Sequence, residues 1–413
     1  MGKWVYKMTM RGLEQKLIGL SLLLFLFFEC FAGPLRMVFH MVGVEFLFSI
    51  PKLFILITQA FSIILVLYYR KITVNGIIAS VTIFYVILIS MISSQMAAMF
   101  IGVWAILPLF LGYHGARIIM SNIKEKKTNR IITIIFLMSC LGVVLNMFFN
   151  YPWYNVSYEI AGVDVSSSQI GSSGGYTRYA GFFKSSLQAS ANVLILLLYV
   201  ISTSKSKTLI MISFVLSALV ALITISKTIF LLHIIILLYI FVKIIPVKAI
   251  WRITLICAFG FTVFTIGSTN YHFNVSKDPM EVMLLASLND RLTNTWPEGV
   301  KTIINNGSLF FGGGMGTIGV GSKLGTGVYN PGDSMYLYII GSGGYLLGFI
   351  FLFWAFYQSA VFNNESVCRY LSLLLIVICL FGLSMTAPEY PFMALSFGFL
   401  INSRIYKYVK IAD

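Results

Sequence analysis

Charge is what this chain has least of. Asp, Glu, Lys and Arg make up 10% of its 413 residues, against about 25% in a soluble globular domain. With only 14 acidic residues, it can neither coat a water-soluble globule nor stay disordered. Cysteine is equally sparse. Cys30, Cys140, Cys257, Cys368 and Cys379 lie in or beside apolar segments with no paired spacing, which excludes a secreted disulfide framework. His40, His114, His233 and His272 stand singly, so no zinc-binding set is expected.

What is present is apolar: 58% of the residues are hydrophobic, and the mean hydropathy is +0.90. A membrane-spanning helix needs about 20 such residues. Twelve apolar segments can be marked, at 17–33, 52–69, 75–92, 97–114, 131–149, 180–201, 208–226, 228–245, 253–269, 335–357, 370–386 and 391–404. The expected fold is therefore an all-α polytopic membrane protein, one integral domain over 1–413 with about twelve transmembrane helices. Lys3, Lys7, Arg11 and Lys16 precede the first segment as in a signal peptide. No small-x-small cleavage site follows, and Glu29-Cys30 is a poor lipoprotein signal, so this segment is expected to stay as a span.

The net charge of +15 is unevenly placed. With both termini in the cytoplasm, that side holds 20 of the 29 basic residues and four acids, while the outer side holds nine basic and ten acidic ones. Cytoplasmic loops carry such an excess. It reads as an orientation signal and a lipid-headgroup contact, and no nucleic-acid partner is expected. Two long connections face outward, 150–179 and 270–334. The second carries Asp278, Glu281, Asp290, Glu298 and Asp333 with Trp296, Phe310, Phe311 and Tyr329, which suits a folded loop with short helices near 279–288 and 294–306. Long loops in compact proteins are commonly functional, so chemistry is expected at the outer membrane boundary.

Four groups of residues stand out there. Arg178 lies one turn before Gly181, Lys184, Gln188 and Asn192, whose spacing puts them on one face of the sixth segment. Polar residues entering a membrane helix face the bundle interior or a wet cavity, so this stripe is either functional or a snorkelling Lys with a helix–helix hydrogen bond. Ser226-Lys227, between segments seven and eight, is an interfacial anchor or a secondary anion contact. In Asn289-Asp290-Arg291-Leu292-Thr293-Asn294-Thr295-Trp296, the guanidinium of Arg291 suits pyrophosphate. Trp296 suits a sugar face or the interfacial belt. Gly314-Met315-Gly316-Thr317-Ile318-Gly319 formally matches GxGxxG but lacks the strand–turn–helix context of a nucleotide loop. It reads as tight turns near a substrate or a neighbouring span. In Asn330-Pro331-Gly332-Asp333-Ser334-Met335-Tyr336-Leu337-Tyr338, Asp333 is a general base, an orienting group or the N-cap of the tenth span. Gly341, Gly343, Gly344 and Gly348 beyond it suit close helix packing.

The order of these features resembles the O-antigen polymerase and ligase superfamily, and within it the Wzy-type polymerases of bacterial surface polysaccharides. The shared elements are Arg-x-x-Gly-Phe at Arg178, Arg-x4-Trp at Arg291, Phe-Gly-Gly-Gly-x-Gly at Phe311 and the polar-Tyr-Leu return to the membrane. They cover roughly 178–348. Ligases of the superfamily typically carry a His where this chain has Asp333, and a Pro-Asn pair is replaced by Ser186-Leu187.

The resemblance implies a multi-pass protein of the bacterial inner membrane with its active site facing the periplasm. It implies a metal-independent, cofactor-free, inverting glycosyl transfer. The growing chain on undecaprenyl pyrophosphate would move onto a new lipid-linked repeat unit. Arg178, Arg291 and Asp333 are then the expected catalytic residues, with Lys184, Lys227, Trp296, Glu298 and Tyr336 contacting substrate. Membrane lipid and a chain-length regulator of the same pathway are the expected partners. An O-antigen ligase and a lipid-linked oligosaccharide flippase are the rival readings.

Overall fold

A computed structural model of the chain describes residues 2–69, 74–93, 96–122, 126–154, 156–160, 163–169, 171–173, 175–242, 252, 256, 260, 279–326, 330, 332–361 and 366–402. In chain order the helices are α1 (Gly2–Cys30), α2 (Ala32–Met41), α3 (Ile50–Tyr69), α4 (Val74–Ser93), α5 (Met96–Asn122) and α6 (Lys126–Leu145). They continue with α7 (Ser186–Thr203), α8 (Lys207–Ile223), α9 (Lys227–Val242), α10 (Pro279–Asp290), α11 (Trp296–Asn306) and α12 (Ser322–Thr326). Last come α13 (Met335–Val361), α14 (Ser366–Phe381) and α15 (Pro391–Ile401).

The chain is mostly helical. Helices coincide with eleven of the twelve expected segments. The ninth, 253–269, lies outside the described residues, apart from Ile256 and Gly260, as do Asp278, Tyr329 and Pro331. Five helices are long and apolar enough to cross a membrane, or six if α1 and α2, bent by 87° at Phe31, count as one span. Phe353, at 77% exposure, and Ile92, at 75%, present bare apolar surface of a kind that suits lipid better than water.

The expectation of helices alone misses two small hairpins in loop 150–179. Strand β1 (Ser157–Ile160) pairs antiparallel with β2 (Val163–Ser166), and β3 (Gly171–Ser173) with β4 (Tyr176–Arg178). Tyr158 and Ile160 alternate with polar residues, as do Val163 and Val165, a period of two that favours strands. Gly175, at φ 84°, turns the second hairpin. The helices expected near 279–288 and 294–306 are present as α10 and α11, joined by one π-helical turn, Arg291–Thr295.

The helices sort into two compact units. The first comprises 1–71, 107–233 and 395–413. Helix α7 is its core: it is buried without interruption from Gln188 through Val200, apolar nearly all round, and packed by α6 and α8. Helix α1 lies along α3, with Ser21 and Thr58 sharing a hydrogen bond of 2.8 Å. In the same unit α5 and α15 cross without side chains between them. A methyl group on Gly398 would strike the Leu109 carbonyl oxygen, and one on Gly112 that of Leu395.

The second unit comprises 72–106 and 234–394. Its central helix, α13, is broken at Gly343 and Gly344, where φ is −147° and 68°. The expectation that these two glycines serve close helix packing is corrected: they end one helical piece and begin another. Segment 308–313 fills the break. Gly313 donates to the Gly341 carbonyl, and Tyr345 and Leu346 donate to those of Leu309 and Phe310. Any side chain at Gly344 would strike the Phe310 carbonyl.

Gly398→Ala should push α5 and α15 apart, at a cost of about 1–3 kcal/mol, the usual range for overpacking. Thermal unfolding of the detergent-purified protein checks this. An unchanged midpoint would mean that the crossing relaxes freely.

Candidate functional site

In the second unit, the structure brings together two of the three expected catalytic residues. Arg291 opens the π-turn between α10 and α11, a local widening often found at functional sites. Its Nε donates to Oδ2 of Asp333 at 3.3 Å, with side-chain exposures of 13% and 33%. Among the described residues the Arg291 guanidinium makes no other hydrogen bond, so its terminal nitrogens are available to a ligand.

The two readings of Asp333 are separated by the geometry. Helix α13 is capped by Ser334, whose hydroxyl accepts from the Leu337 amide at 3.4 Å and whose carbonyl accepts from Tyr338 at 3.0 Å. Asp333 precedes the cap in a left-handed conformation, φ 41°, where Asp is among the few side chains tolerated. Asn330 braces this approach, its Oδ1 accepting from the Gly332 amide at 2.9 Å. Asp333 is therefore not the cap, and its carboxylate is turned toward Arg291.

Next to this pair runs the glycine-rich loop. Its glycines turn against α4 and α5, as the sequence suggested: Met315 donates to the Ser90 hydroxyl at 2.7 Å, and Gly316 lies against Ala98. The loop is clasped where Gly319 donates to the Asn330 carbonyl at 2.8 Å and Ser322 accepts from the Asn330 amide at 2.8 Å. Ile318, 2% exposed, plugs the space beside Gly299, Gly332 and Gly341.

Glu389, which sequence reasoning passed over, holds the end of this loop. It lies between α14 and α15 in a single 3-10 turn, Ala387–Glu389. Its Oε1 accepts from the Val320 amide at 2.8 Å, and its carboxylate lies directly against Gly319. Burial pushes the carboxyl up to about 7, against the opposing effect of hydrogen bonds from Val320 and Thr386. The available signal was an acid between Pro388 and Pro391 in a short apolar connection.

Two of the three remaining substrate-contact residues expected in this unit are packed inside. Trp296 is 3% exposed, so its ring is packed inside and offers no open face to a sugar. Tyr336 is 5% exposed, and its hydroxyl donates to the Cys379 carbonyl at 3.2 Å, tying α13 to α14. Glu298 sits in the first turn of α11 with an exposed side chain. Among the described residues no three His, Cys, Asp or Glu side chains gather as a metal site.

The first unit holds the others. Arg178 ends β4, and its Nε donates to the Thr224 carbonyl at 2.9 Å. That carbonyl opens the turn from α8 into α9, which passes through Ile225 at φ 51° to Lys227. Arg178 and the Lys227 turn are thus held together. The expected helical stripe is corrected. Ser185 caps α7 by accepting from the Gln188 amide, and Gly181 turns at φ 63°, so Arg178, Gly181 and Lys184 lie before the helix. Only Gln188 and Asn192 are on it. Gln188 donates to Glu29 on α1 at 2.7 Å, while the Asn192 amide is buried with no hydrogen-bond partner among the described residues.

Comparison with protein-family models, curated proteins and solved structures gave no match.

The Glu389 carboxyl fixes a pH dependence. Its folded value near 7 lies above the ordinary 4.5, so the folded state keeps a proton that the unfolded chain has lost. Stability contributed at acid pH is then lost as pH rises from about 4.5 to about 7, and is level above that. Glu389→Gln should flatten that part of a thermal-midpoint curve. A variant curve that parallels the parent across this window would remove Glu389 as its source.

Proposed function

We propose that this chain polymerises lipid-linked oligosaccharide repeat units at the periplasmic face of a bacterial inner membrane, as the Wzy-type polymerases it resembles do. In this reading it crosses the bilayer twelve times with both ends in the cytoplasm, and loops 150–179 and 270–334 face the periplasm. The observation that supports the reading best is the Arg291–Asp333 pair, a phosphate-binding cation beside a carboxylate released from helix capping.

The reaction breaks the bond between the anomeric carbon of the growing chain and the oxygen of undecaprenyl pyrophosphate. The bonding electrons leave with the pyrophosphate. A hydroxyl of the incoming repeat unit attacks from the opposite face, inverting the anomeric centre, and gives up its proton. Arg291 receives the leaving group, because a guanidinium held only through Nε keeps its terminal nitrogens for phosphate oxygens. As the pyrophosphate draws the guanidinium toward itself, Asp333 loses part of its counter-charge and becomes able to take the hydroxyl proton. Glu298 is the reserve carboxylate. Arg178 and Lys227, held at one turn, are assigned a phosphate contact of their own, as preorganised positive charge stabilises a departing anion. No metal is assigned to any step.

The test is a surface-polysaccharide gel from a deletion strain carrying each variant at equal protein level. Arg291→Ala and Asp333→Asn should cut polymer by about 100-fold, the scale of losing one preorganised charge contact. Lipid A-core bearing single repeats should remain, and Arg291→Lys should rescue in part. The swapped pair, Arg291→Asp with Asp333→Arg, would restore a purely structural ion pair, so a full ladder from it would remove both residues from the chemistry. Bare core in the deletion strain, without even one repeat, would overturn the polymerase reading. Polymer synthesis lost in EDTA and regained with a divalent cation would overturn the metal-free assignment.

A further inference from the structure

Helix α2, in the first unit, turns a corner that the proposed chemistry does not use. It leaves α1 at Phe31 through a bend of 87°. Helix α1 lies along α3, where Ser21 and Thr58 share their hydrogen bond of 2.8 Å. Helix α3, with the 3-10 turn Glu45–Ser49 that opens it, is long and apolar enough to cross a membrane. Phe28, near the end of α1, meets Phe39 of α2 and Phe48 of that turn with ring centres 5.9 and 5.8 Å away. Segment 31–44 therefore joins two adjacent helix ends. Because α2 stands square to α1, it runs along the plane of a bilayer that α1 and α3 cross.

The two faces of α2 differ. Gly33, Arg36 and His40, spaced by three and four, share one face, and the protein engages all three. The Gly33 amide donates to the Phe182 carbonyl at 2.8 Å. Arg36 donates through Nη1 to the Ser166 carbonyl of β2 at 3.0 Å. Nδ1 of His40 lies 2.8 Å from Oε1 of Glu45, and the imidazole stacks on the Tyr158 ring of β1 at 5.1 Å. The other face carries Val38, Met41 and Val42, all exposed, Met41 at 74%. Phe46, in the turn that follows, is exposed as well. Beyond the end of α6, Phe148 and Phe149 are bare at the same end of the unit, because Phe182 both accepts from Gly33 and covers Gly142 of α6. Two stretches distant in sequence thus expose apolar side chains at the level where helices end. A bilayer surface meets both stretches at once, and a helix with one apolar face lying in its plane is the form that such surfaces take up.

We infer that α2 is an interfacial helix, with Val38, Met41, Val42 and Phe46 set into the boundary between phospholipid headgroups and acyl chains. Its opposite face carries the β1–β2 hairpin through Arg36 and His40, and so holds that hairpin at headgroup level. The partner is the acyl chain of bilayer phospholipid, met roughly 5–10 Å inside the surface. The inference does not depend on the polymerase reading, and its test involves no turnover.

The full-length protein, carrying the photoreactive residue benzoylphenylalanine at Met41 or at Phe46, is placed in vesicles of phosphatidylethanolamine and phosphatidylglycerol and irradiated. Phe353 of α13, exposed on a helix long enough to span, carries the same residue as the lipid-facing reference. Mass spectrometry should find phospholipid adducts at Met41 and Phe46 in yields comparable to the reference. Cross-links between two copies of the chain at these positions would overturn the bilayer as the partner. Absence of adducts at both, with the reference labelled, would leave the face in water and overturn the inference. With the photoreactive residue at Phe46, Val38→Asp and Met41→Asp together should cut the lipid adduct by about tenfold, since acids resist burial among acyl chains. An undiminished yield would mean that Phe46 meets lipid as part of α3 alone, and would overturn the placement of α2. All these side chains are exposed, so the substitutions leave the core intact.

Discussion

The second unit is organised by one requirement: backbone amides and carbonyls freed inside an apolar bundle need partners. Helix α13 breaks at Gly343 and Gly344, and segment 308–313 answers the break with hydrogen bonds from its own backbone. Tyr85 of α4 adds its hydroxyl, donating to the Phe311 carbonyl at 2.9 Å. Once that segment is seated, the glycine loop has to turn back over α4 and α5, meet Glu389, and close on Asn330. The position of Asp333, three residues further on, follows from this chain of backbone contacts. Its own side chain does little to set it.

The two units treat charge differently. In the second, Arg291 and Asp333 balance one another, each only partly covered. A balanced, shallow pair can exchange partners at modest cost, since solvent and an incoming anion can replace what is lost. In the first unit Glu29 sits among Arg36, Lys52 and Lys184 and accepts from Gln188 at 2.7 Å, so its surroundings are far more enclosed.

Much of the helical layout was legible because twelve apolar runs of span length leave few alternatives. The short helices of the long loop were legible too, from the apolar positions around Trp296. Details set by contacts distant in sequence were not. The start of α7 moved from residue 180 to Ser186 because Gly181 turns and Ser185 caps, and Ser and Gly at those places are equally common inside membrane helices. The sequence left Asp333 as a base or as the cap of α13, and only the fold, with Ser334 at the cap and Asp333 at φ 41°, separates the two. Trp296 and Tyr336 carry the residue types of a sugar site, yet burial cannot be read from residue type. Glu389 escaped notice and Glu29 was weighed only as part of a lipoprotein signal, because each is one acid in an apolar stretch whose neighbour, Val320 or Gln188, is far away in the chain.

The clasp between Gly319 and Asn330 has an evolutionary consequence. Gly319 and Ser322 both bond the Asn330 backbone, so the two ends of the stretch between Ser322 and Asn330 are fixed by the same hydrogen bonds. Closing a longer excursion costs little more than closing a short one. Length after Ser322 can therefore change in evolution while the clasp, and with it the approach to Asp333, keeps its register.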